Sequence, residues 1–373
     1  MSKLFEPTQV GDLTLKNHIV MAPLTRNRSP GAVPNDLNVE YYRQRATAGL
    51  IITEATAITH QGQGYADVPG LYSKEAIAGW KRVTDAVHEQ GGKIVVQMWH
   101  VGRISHDTLQ PNGGKPVSST NKVAKSKTYL VNPDGSGAFA PTSEPRALET
   151  AEIAGIVEDY RKAARAAIEA GFDGVEIHAA NGYLIDQFLR SGINDRTDQY
   201  GGSIENRARF LFQVVDAITE EIGARRTGIR ISPVTPANDS ADTDPQPIFT
   251  YVVEGLAKYD LSYIHIIEGA TGGDRNYQQG EKPFDYKALR TAYEKAGGKA
   301  SWMVNNGYDR QMAIDVVESG EADLVAFGKP FISNPDLVQR LKDNAPLAGL
   351  DQATLYGGGS TGYVDYPALE KAA

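Results

Sequence analysis

Cysteine is absent from the 373-residue chain. Without a thiol there is no disulfide framework, no thiolate zinc site, no cysteine nucleophile and no cysteine-held iron–sulfur cluster. An excess of positive charge is missing too: 38 lysines and arginines stand against 46 aspartates and glutamates, a formal net charge of −8. Nucleic acid and anionic membrane surfaces both need a basic face, so neither is expected as a partner. No apolar run approaches the ~20 residues of a membrane span. The opening stretch "MSKLFEPTQVGDL" has no apolar segment of signal-peptide length, which makes the cytoplasm the expected location. The seven histidines are scattered over seven regions and give no metal-ligand spacing. No pair of carboxylates is aimed at one point, which speaks against a glycosidase.

What is present is repetition. Short, β-branched, apolar runs recur as "HIVMAPLT" (18–25), "GLIITEATAI" (49–58), "KIVVQMWHVG" (93–102), "GVEIHAANG" (174–182), "TGIRISP" (227–233), "YIHIIEG" (263–269), "ASWMVNNG" (300–307) and "ADLVAFGKP" (322–330). Continuous rather than alternating apolar character indicates strands buried on both faces. Helical patterns lie between most of them, at 73–92, 150–172 with Thr150 as the N-cap, 204–223 and 310–322. Strand and helix in alternation indicate a parallel sheet, and eight units favour closure into one (β/α)8 TIM barrel over an open doubly wound sheet. The expectation is a single domain over residues 1–373. Residues 4–17 read as a hairpin turning at Gly11-Asp12, placed to plug the barrel floor. Residues 103–149 form a Pro/Gly/Ser-rich excursion after the third strand, on the side where barrel active sites lie, and such insertions are lids or substrate walls.

Catalytic side chains of barrels stand at the C-terminal strand ends. These ends carry Pro23 and Thr25, Ala57, the pair Gln97 and Trp99, then His178, Asn181 and Tyr183, then Arg230, Gly307, and finally Gly328 and Lys329. The set is rich in hydrogen-bond donors and aromatics, which suits a bound planar cofactor better than hydrolysis. Glycines at the seventh and eighth ends let backbone N–H groups approach a phosphate, with Lys329 to neutralise it. Alternation along the third strand puts Gln97 and Trp99 on one face. Arg230 is a charge inside a barrel strand, where burial without a partner is rare; a structural ion pair with Glu176 or Glu268 is the competing reading. "GGGSTG" (357–362) matches G-x-G-x-x-G, but no strand precedes it and too little sequence follows for a βαβ unit, so it reads as a turn that places Tyr356.

These residues lie in stretches that resemble one family, the old yellow enzymes, which are FMN-dependent ene-reductases. The stretches are "MAPLTR" (21–26), "QMWHVGRISH" (97–106), "HAANGYLIDQFL" (178–189), "NDRTDQYGGSIENRARF" (194–210), "GIRISP" (228–233), "AFGKPFISNPDL" (326–337) and "YGGGSTGYVDYP" (356–367). The resemblance covers nearly the whole chain and is strongest to the bacterial N-ethylmaleimide, pentaerythritol tetranitrate and glycerol trinitrate reductases. It implies non-covalently bound FMN, NADPH as reductant, small-molecule substrates and a monomer. It further implies that Thr25 bonds the flavin C4 carbonyl, that Pro23, Ala57 and Gln97 line the ring, and that Arg230 sits near N1 and C2=O. Gly307, Gly328 and Lys329 would hold the phosphate, and Trp99 and Tyr356 would shape the pocket above the flavin.

The implied chemistry is ping-pong: NAD(P)H delivers hydride to the flavin, and an electron-poor alkene then receives it. His178 and Asn181 grip the activating oxygen as an oxyanion site does, and Tyr183 protonates the α-carbon. A tyrosine with a pKa of ~10 keeps its proton at neutral pH and can act as a general acid. A nitrate ester would use the same grip and release nitrite. Two positions depart from the family. Lys329 stands where arginine is frequent and lacks the bidentate fork, and Asn181 stands where some relatives carry histidine. The competing readings are a dienoyl-CoA-reductase-like enzyme, which needs cysteines this sequence lacks, a non-catalytic flavin- or ligand-binding barrel, and an aldolase or isomerase, which wants a strand-end base.

Overall fold

The computed structural model describes residues 2–369, so Met1 and residues 370–373 of the expected domain lie outside the described residues. Eight parallel strands form its centre: β1 (Ile19–Met21), β2 (Leu50–Ile52), β3 (Ile94–Trp99), β4 (Gly174–Ala179), β5 (Thr227–Ile231), β6 (Tyr263–Ile267), β7 (Ser301–Asn305) and β8 (Leu324–Phe327). Each pairs with its neighbour in sequence, and β8 returns to β1, which closes a (β/α)8 barrel. All eight fall within the apolar runs that announced them. The reason is visible in β3 and β4, where every residue is buried on both faces, so uninterrupted apolar sequence is what the position demands.

The helices follow the caps. Ser73, Ser203 and Asp309 each accept from an N–H three residues on and start helices Lys74–Glu89, Ile204–Ile222 and Arg310–Glu318. Thr150 is a correction. The helix begins at Ile153 after a tight turn at Thr150–Glu152, and the Glu152 carboxylate takes the Glu149 N–H at 2.7 Å. The Thr150 hydroxyl instead donates to Asp198. A charged acceptor forms the stronger bond and displaces a hydroxyl from the capping role.

The hairpin pairs Thr8–Val10 with Leu13–Leu15 across Gly11-Asp12, with Gly11 at φ +55°. Its Val10, Leu13 and Leu15 pack with inward side chains of the barrel, among them Val20, Val95, Tyr263 and Leu324, and so stop the end where the strands begin. The 103–149 excursion contains a second hairpin, Lys127–Val131 with Gly137–Pro141. Its Phe139 ring meets Tyr356 edge-on at 5.6 Å. Tyr356 belongs to a C-terminal strap clamped by the segment leaving β1: Arg26 Nε donates to the Leu355 carbonyl at 2.9 Å and Arg28 Nη2 to that of Thr354 at 2.8 Å. Among the described residues no helix is long and apolar enough to cross a membrane.

Candidate active site

A cavity of about 410 Å³ opens at the C-terminal ends of the strands. Pro23, Thr25, Gln97, Trp99, His178, Asn181, Tyr183, Arg230, Gly307, Gly328 and Lys329 all line it. Ala57 does not, and Ala55 occupies that place. The run "GLIITEATAI" conceals a break: β2 ends at Ile52, the backbone passes the cavity at Ala55, and Thr56–Ala57 then pair with Met98–Trp99 of β3. Ala57 is fully buried there, its N–H donating to the Pro69 carbonyl at 2.9 Å. Tyr356 stands at a second cavity of about 410 Å³, which shares Pro23, Leu24, Thr25, Tyr183 and Lys329 with the first and adds Tyr65, Tyr129 and Phe139.

The His178, Asn181 and Tyr183 group is built by the turn that ends β4. Asn181 and Gly182 have φ of +59° and +74°, a left-handed stretch that asparagine tolerates better than most residues. The Asn181 N–H donates to Ser232 Oγ at 2.8 Å, its carbonyl accepts from Asn238 Nδ2 at 2.8 Å, and its Oδ1 accepts from Thr271 Oγ1 at 2.6 Å. The Asn181 amide therefore presents N–H to the cavity. His178 Nδ1 accepts from the Ala180 N–H at 3.4 Å, which leaves the ring proton on Nε2. Burial, reinforced by Arg230 and His265, holds this imidazole well below the usual histidine range, so it is a neutral donor at pH 7. The Tyr183 ring meets Trp99 edge-on at 4.9 Å and His178 at 5.0 Å. Burial pushes its phenol up, and it stays protonated.

Arg230 answers the question of its partner. Glu176 is engaged by Gln97 Nε2 at 2.7 Å and faces His265 Nδ1 at 2.8 Å. Glu268 is engaged by Arg275 Nε at 2.7 Å and by the Tyr308 hydroxyl at 2.9 Å. Arg230 bonds Asn305 Oδ1 through Nη2 at 2.7 Å, while its buried Nε has no hydrogen-bond partner among the described residues. Burial pulls its pKa down to about 10, which leaves it cationic at neutral pH. A buried cation with an unused donor at a cavity wall is costly unless a ligand supplies negative charge.

The far end is made of glycines. Gly272 and Gly307 have φ of +69° and +68°. A Cβ on Gly272 would meet nothing within 4 Å, and one on Gly328 only the Leu24 side chain at 3.4 Å, so open space stands over these backbones. Lys329 Nζ donates to the Gly272 carbonyl at 3.1 Å. The loop after β6, with Thr271, Gly272 and Gly273 on the cavity wall, was not anticipated. The glycine pair in "EGATGGDRN" (268–276) was its signal. Tyr65 was also missed. Among the described residues no cluster suited to a metal ion occurs. FMN fits the donor set: the vacant Arg230 Nε matches the electron-rich N1 and C2=O edge, and the open glycine backbones with Lys329 match the phosphate.

The sequence pattern of the NADH:flavin oxidoreductase / NADH oxidase family matches residues 3–348. A putative 12-oxophytodienoate reductase 11 of Oryza sativa subsp. japonica is 46% identical over 371 residues, covering 98% of this chain and 97% of its own. The 12-oxophytodienoate reductase 7 of the same plant is 45% identical over 376 residues, covering 98% and 94%. Among solved structures, morphinone reductase in complex with tetrahydroNAD is similar with a TM-score of 0.92 and 45% identity, covering 99% of this chain and 98% of that one. The old yellow enzyme homologue of Zymomonas mobilis gives 0.91 and 39%, covering 98% and 100%. Barrel, cavity and likeness over nearly the full length agree, and the chain belongs to the NADH:flavin oxidoreductase / NADH oxidase family, the old yellow enzymes.

Proposed function

We propose that the protein is an FMN-dependent, NADPH-linked reductase of activated carbon–carbon double bonds (enones, maleimides and nitroalkenes) and of nitrate esters. The observation that carries this reading is the gathering of three donor groups on one aromatic wall: neutral His178, the Asn181 amide and protonated Tyr183. Support also comes from relatives whose names are those of a 12-oxophytodienoate reductase and a morphinone reductase. In this reading the protein is a cytoplasmic, single-domain monomer.

A flavin, when bound, supplies hydride acceptance from a reduced nicotinamide and hydride return to an electron-poor acceptor. The chain's own residues do the rest. Pro23, Thr25, Ala55 and Gln97 would hold the ring, with Arg230 supplying positive charge beside it, and Gly307, Gly328 and Lys329 would hold the phosphate. His178 and Asn181 donate to the carbonyl or nitro oxygen of the substrate and draw electron density from its β-carbon. Tyr183 gives its proton to the α-carbon. Trp99 and Tyr356 bound the space in which the substrate lies.

An anaerobic titration tests the reading. The purified protein is expected to be yellow, to bleach with NADPH faster than with NADH, and to recover its colour with 2-cyclohexenone and with glycerol trinitrate. A protein that takes up no FMN would refute the flavin assignment. Colour that never returns with an alkene would favour a non-catalytic flavin-binding barrel.

A further inference from the structure

Tyr65 lies in the loop that follows the Thr56–Ala57 strand, and nothing in the motifs of the sequence marks it. Its hydroxyl is 3.1 Å from the hydroxyl of Tyr183. Its ring stacks on Trp99 at 5.4 Å and 18°. The loop is tied to the Lys127–Val131 / Gly137–Pro141 hairpin, with the Ala66 N–H donating to the Tyr129 carbonyl at 2.8 Å and the Thr128 hydroxyl to the Gly64 carbonyl. The phenol is therefore held from both sides and is not a passing contact.

Burial raises both phenols above the usual tyrosine range, that of Tyr65 further. Both carry a proton at neutral pH, so the pair has two protons and one shared bond. If Tyr183 donated to Tyr65, its proton would point away from the substrate. If Tyr65 donates, the Tyr183 proton is free for the catalytic cavity. The transfer itself removes the ambiguity. As the Tyr183 O–H bond breaks and the C–H bond forms at the substrate α-carbon, the electron pair stays on the Tyr183 oxygen. That oxygen can then only accept, and the Tyr65 O–H is placed to meet it, alongside the Asn238 side chain. A hydrogen bond to an anion is roughly twice as strong as one to a neutral acceptor, so this contact tightens during the step.

We propose that Tyr65 is a positioning residue for proton transfer: its hydroxyl donates to Tyr183, aims the Tyr183 proton at the substrate and stabilises the tyrosinate left behind. The inference rests on the reading of Tyr183 as proton donor, and it assigns a function to the wall between the two cavities. Tyr65 also faces the second cavity, through which water can return the spent proton.

The test is Tyr65→Phe, which keeps the ring on Trp99 and removes one oxygen. The two half-reactions are followed separately by flavin absorbance. The variant is expected to bleach with NADPH, and to reoxidise with ferricyanide, as the wild type does, because neither places a proton on carbon. Reoxidation by 2-cyclohexenone is expected to slow about ten- to a hundredfold, the effect of losing one hydrogen bond to a developing charge, and its solvent deuterium effect to grow. Tyr183→Phe, measured alongside, establishes whether the proton donor is correctly assigned. A Tyr65→Phe protein that matches the wild type with cyclohexenone while Tyr183→Phe is slow overturns the inference and leaves the proposed function standing. Equal slowing with ferricyanide also overturns it, since that marks a general disturbance. A wild type inert toward cyclohexenone removes the reading on which the inference rests.

Discussion

Thr271 Oγ1 donates to Asn181 Oδ1 at 2.6 Å, joining the loop after β6 to the turn after β4. The bond occupies the amide's acceptor and so commits its N–H groups to the ligand. Thr271→Val keeps the shape and removes the donor. We expect kcat/KM for enones to fall about fivefold to tenfold, with flavin affinity unchanged, the effect of one neutral hydrogen bond. Asn181→Ala should cost more, about a hundredfold or beyond, as for loss of an oxyanion donor. The double variant should be no worse than Asn181→Ala alone, because Thr271 acts through Asn181. Additive losses would show that Thr271 contacts the substrate by itself.

Arg230 should stabilise the holoprotein and burden the apoprotein. The residue is 5% exposed, and its guanidinium bonds Asn305 and leaves Nε without a partner among the described residues. Glu176 offsets part of the burial through space but makes no direct ion pair with the guanidinium, and replacing such a buried charge by an apolar side chain of similar length is frequently neutral or stabilising. Arg230→Met is therefore expected to leave the melting temperature of the apoprotein equal or higher, and to shrink the increment that saturating FMN adds. Thermal unfolding with and without FMN reads both. A large loss of apoprotein stability would mean that the Asn305 bond, rather than ligand charge, is the purpose of Arg230.

How much of this was legible before the fold is plain from particular residues. The barrel was readable because its strands are buried on both faces and say so in continuous apolar sequence. The donors His178, Asn181 and Tyr183 were readable as a cluster because the end of β4 and the turn after it carry all three within six positions. Ala57 was misplaced because the apolar run continues across the break after Ile52, and period alone does not reveal where a strand leaves the sheet. The pairings of Thr271 with Asn181 and of Tyr65 with Tyr183 were invisible because closure of the barrel and folding of the loops join partners 90 and 118 residues apart. The freedom of Arg230 was equally hidden. It depends on Gln97 and His265 having claimed Glu176, and on Arg275 having claimed Glu268.

Lys329 should be improvable as a phosphate ligand. It presents one ammonium, already bonded to the Gly272 carbonyl at 3.1 Å. An arginine offers a planar fork that matches two phosphate oxygens at once. Lys329→Arg is expected to tighten FMN binding about threefold to tenfold, one added charge-assisted bond less its ordering cost. Quenching of flavin fluorescence on titration into apoprotein measures it. Weaker binding would show that the Lys329 bond to Gly272 orders the cradle and matters more than the fork.

Glu54 makes stability depend on pH from beneath the site. It stands two residues past β2, accepts from the Arg26 N–H and the Tyr42 hydroxyl, each at 3.3 Å, and is buried beside the residues that fasten the C-terminal strap. Burial raises its carboxyl from the ordinary 4.5 to about 7, against the opposing pull of the Arg26 N–H and charge. The folded state thus binds more protons than the unfolded chain between those two values. The stability that protonated Glu54 contributes is complete below the unfolded value and is lost as pH rises through about 7. Glu54→Gln mimics the protonated form and retains an acceptor for Tyr42. The difference in unfolding free energy between wild type and Glu54→Gln, from denaturant titrations at several pH values, should move against the wild type as pH climbs from roughly 5 to roughly 8. The variant is expected to be the more stable protein at the upper end. A difference that stays flat would show that Arg26 keeps Glu54 ionised throughout, and that the strap is held by a buried ion pair at every pH.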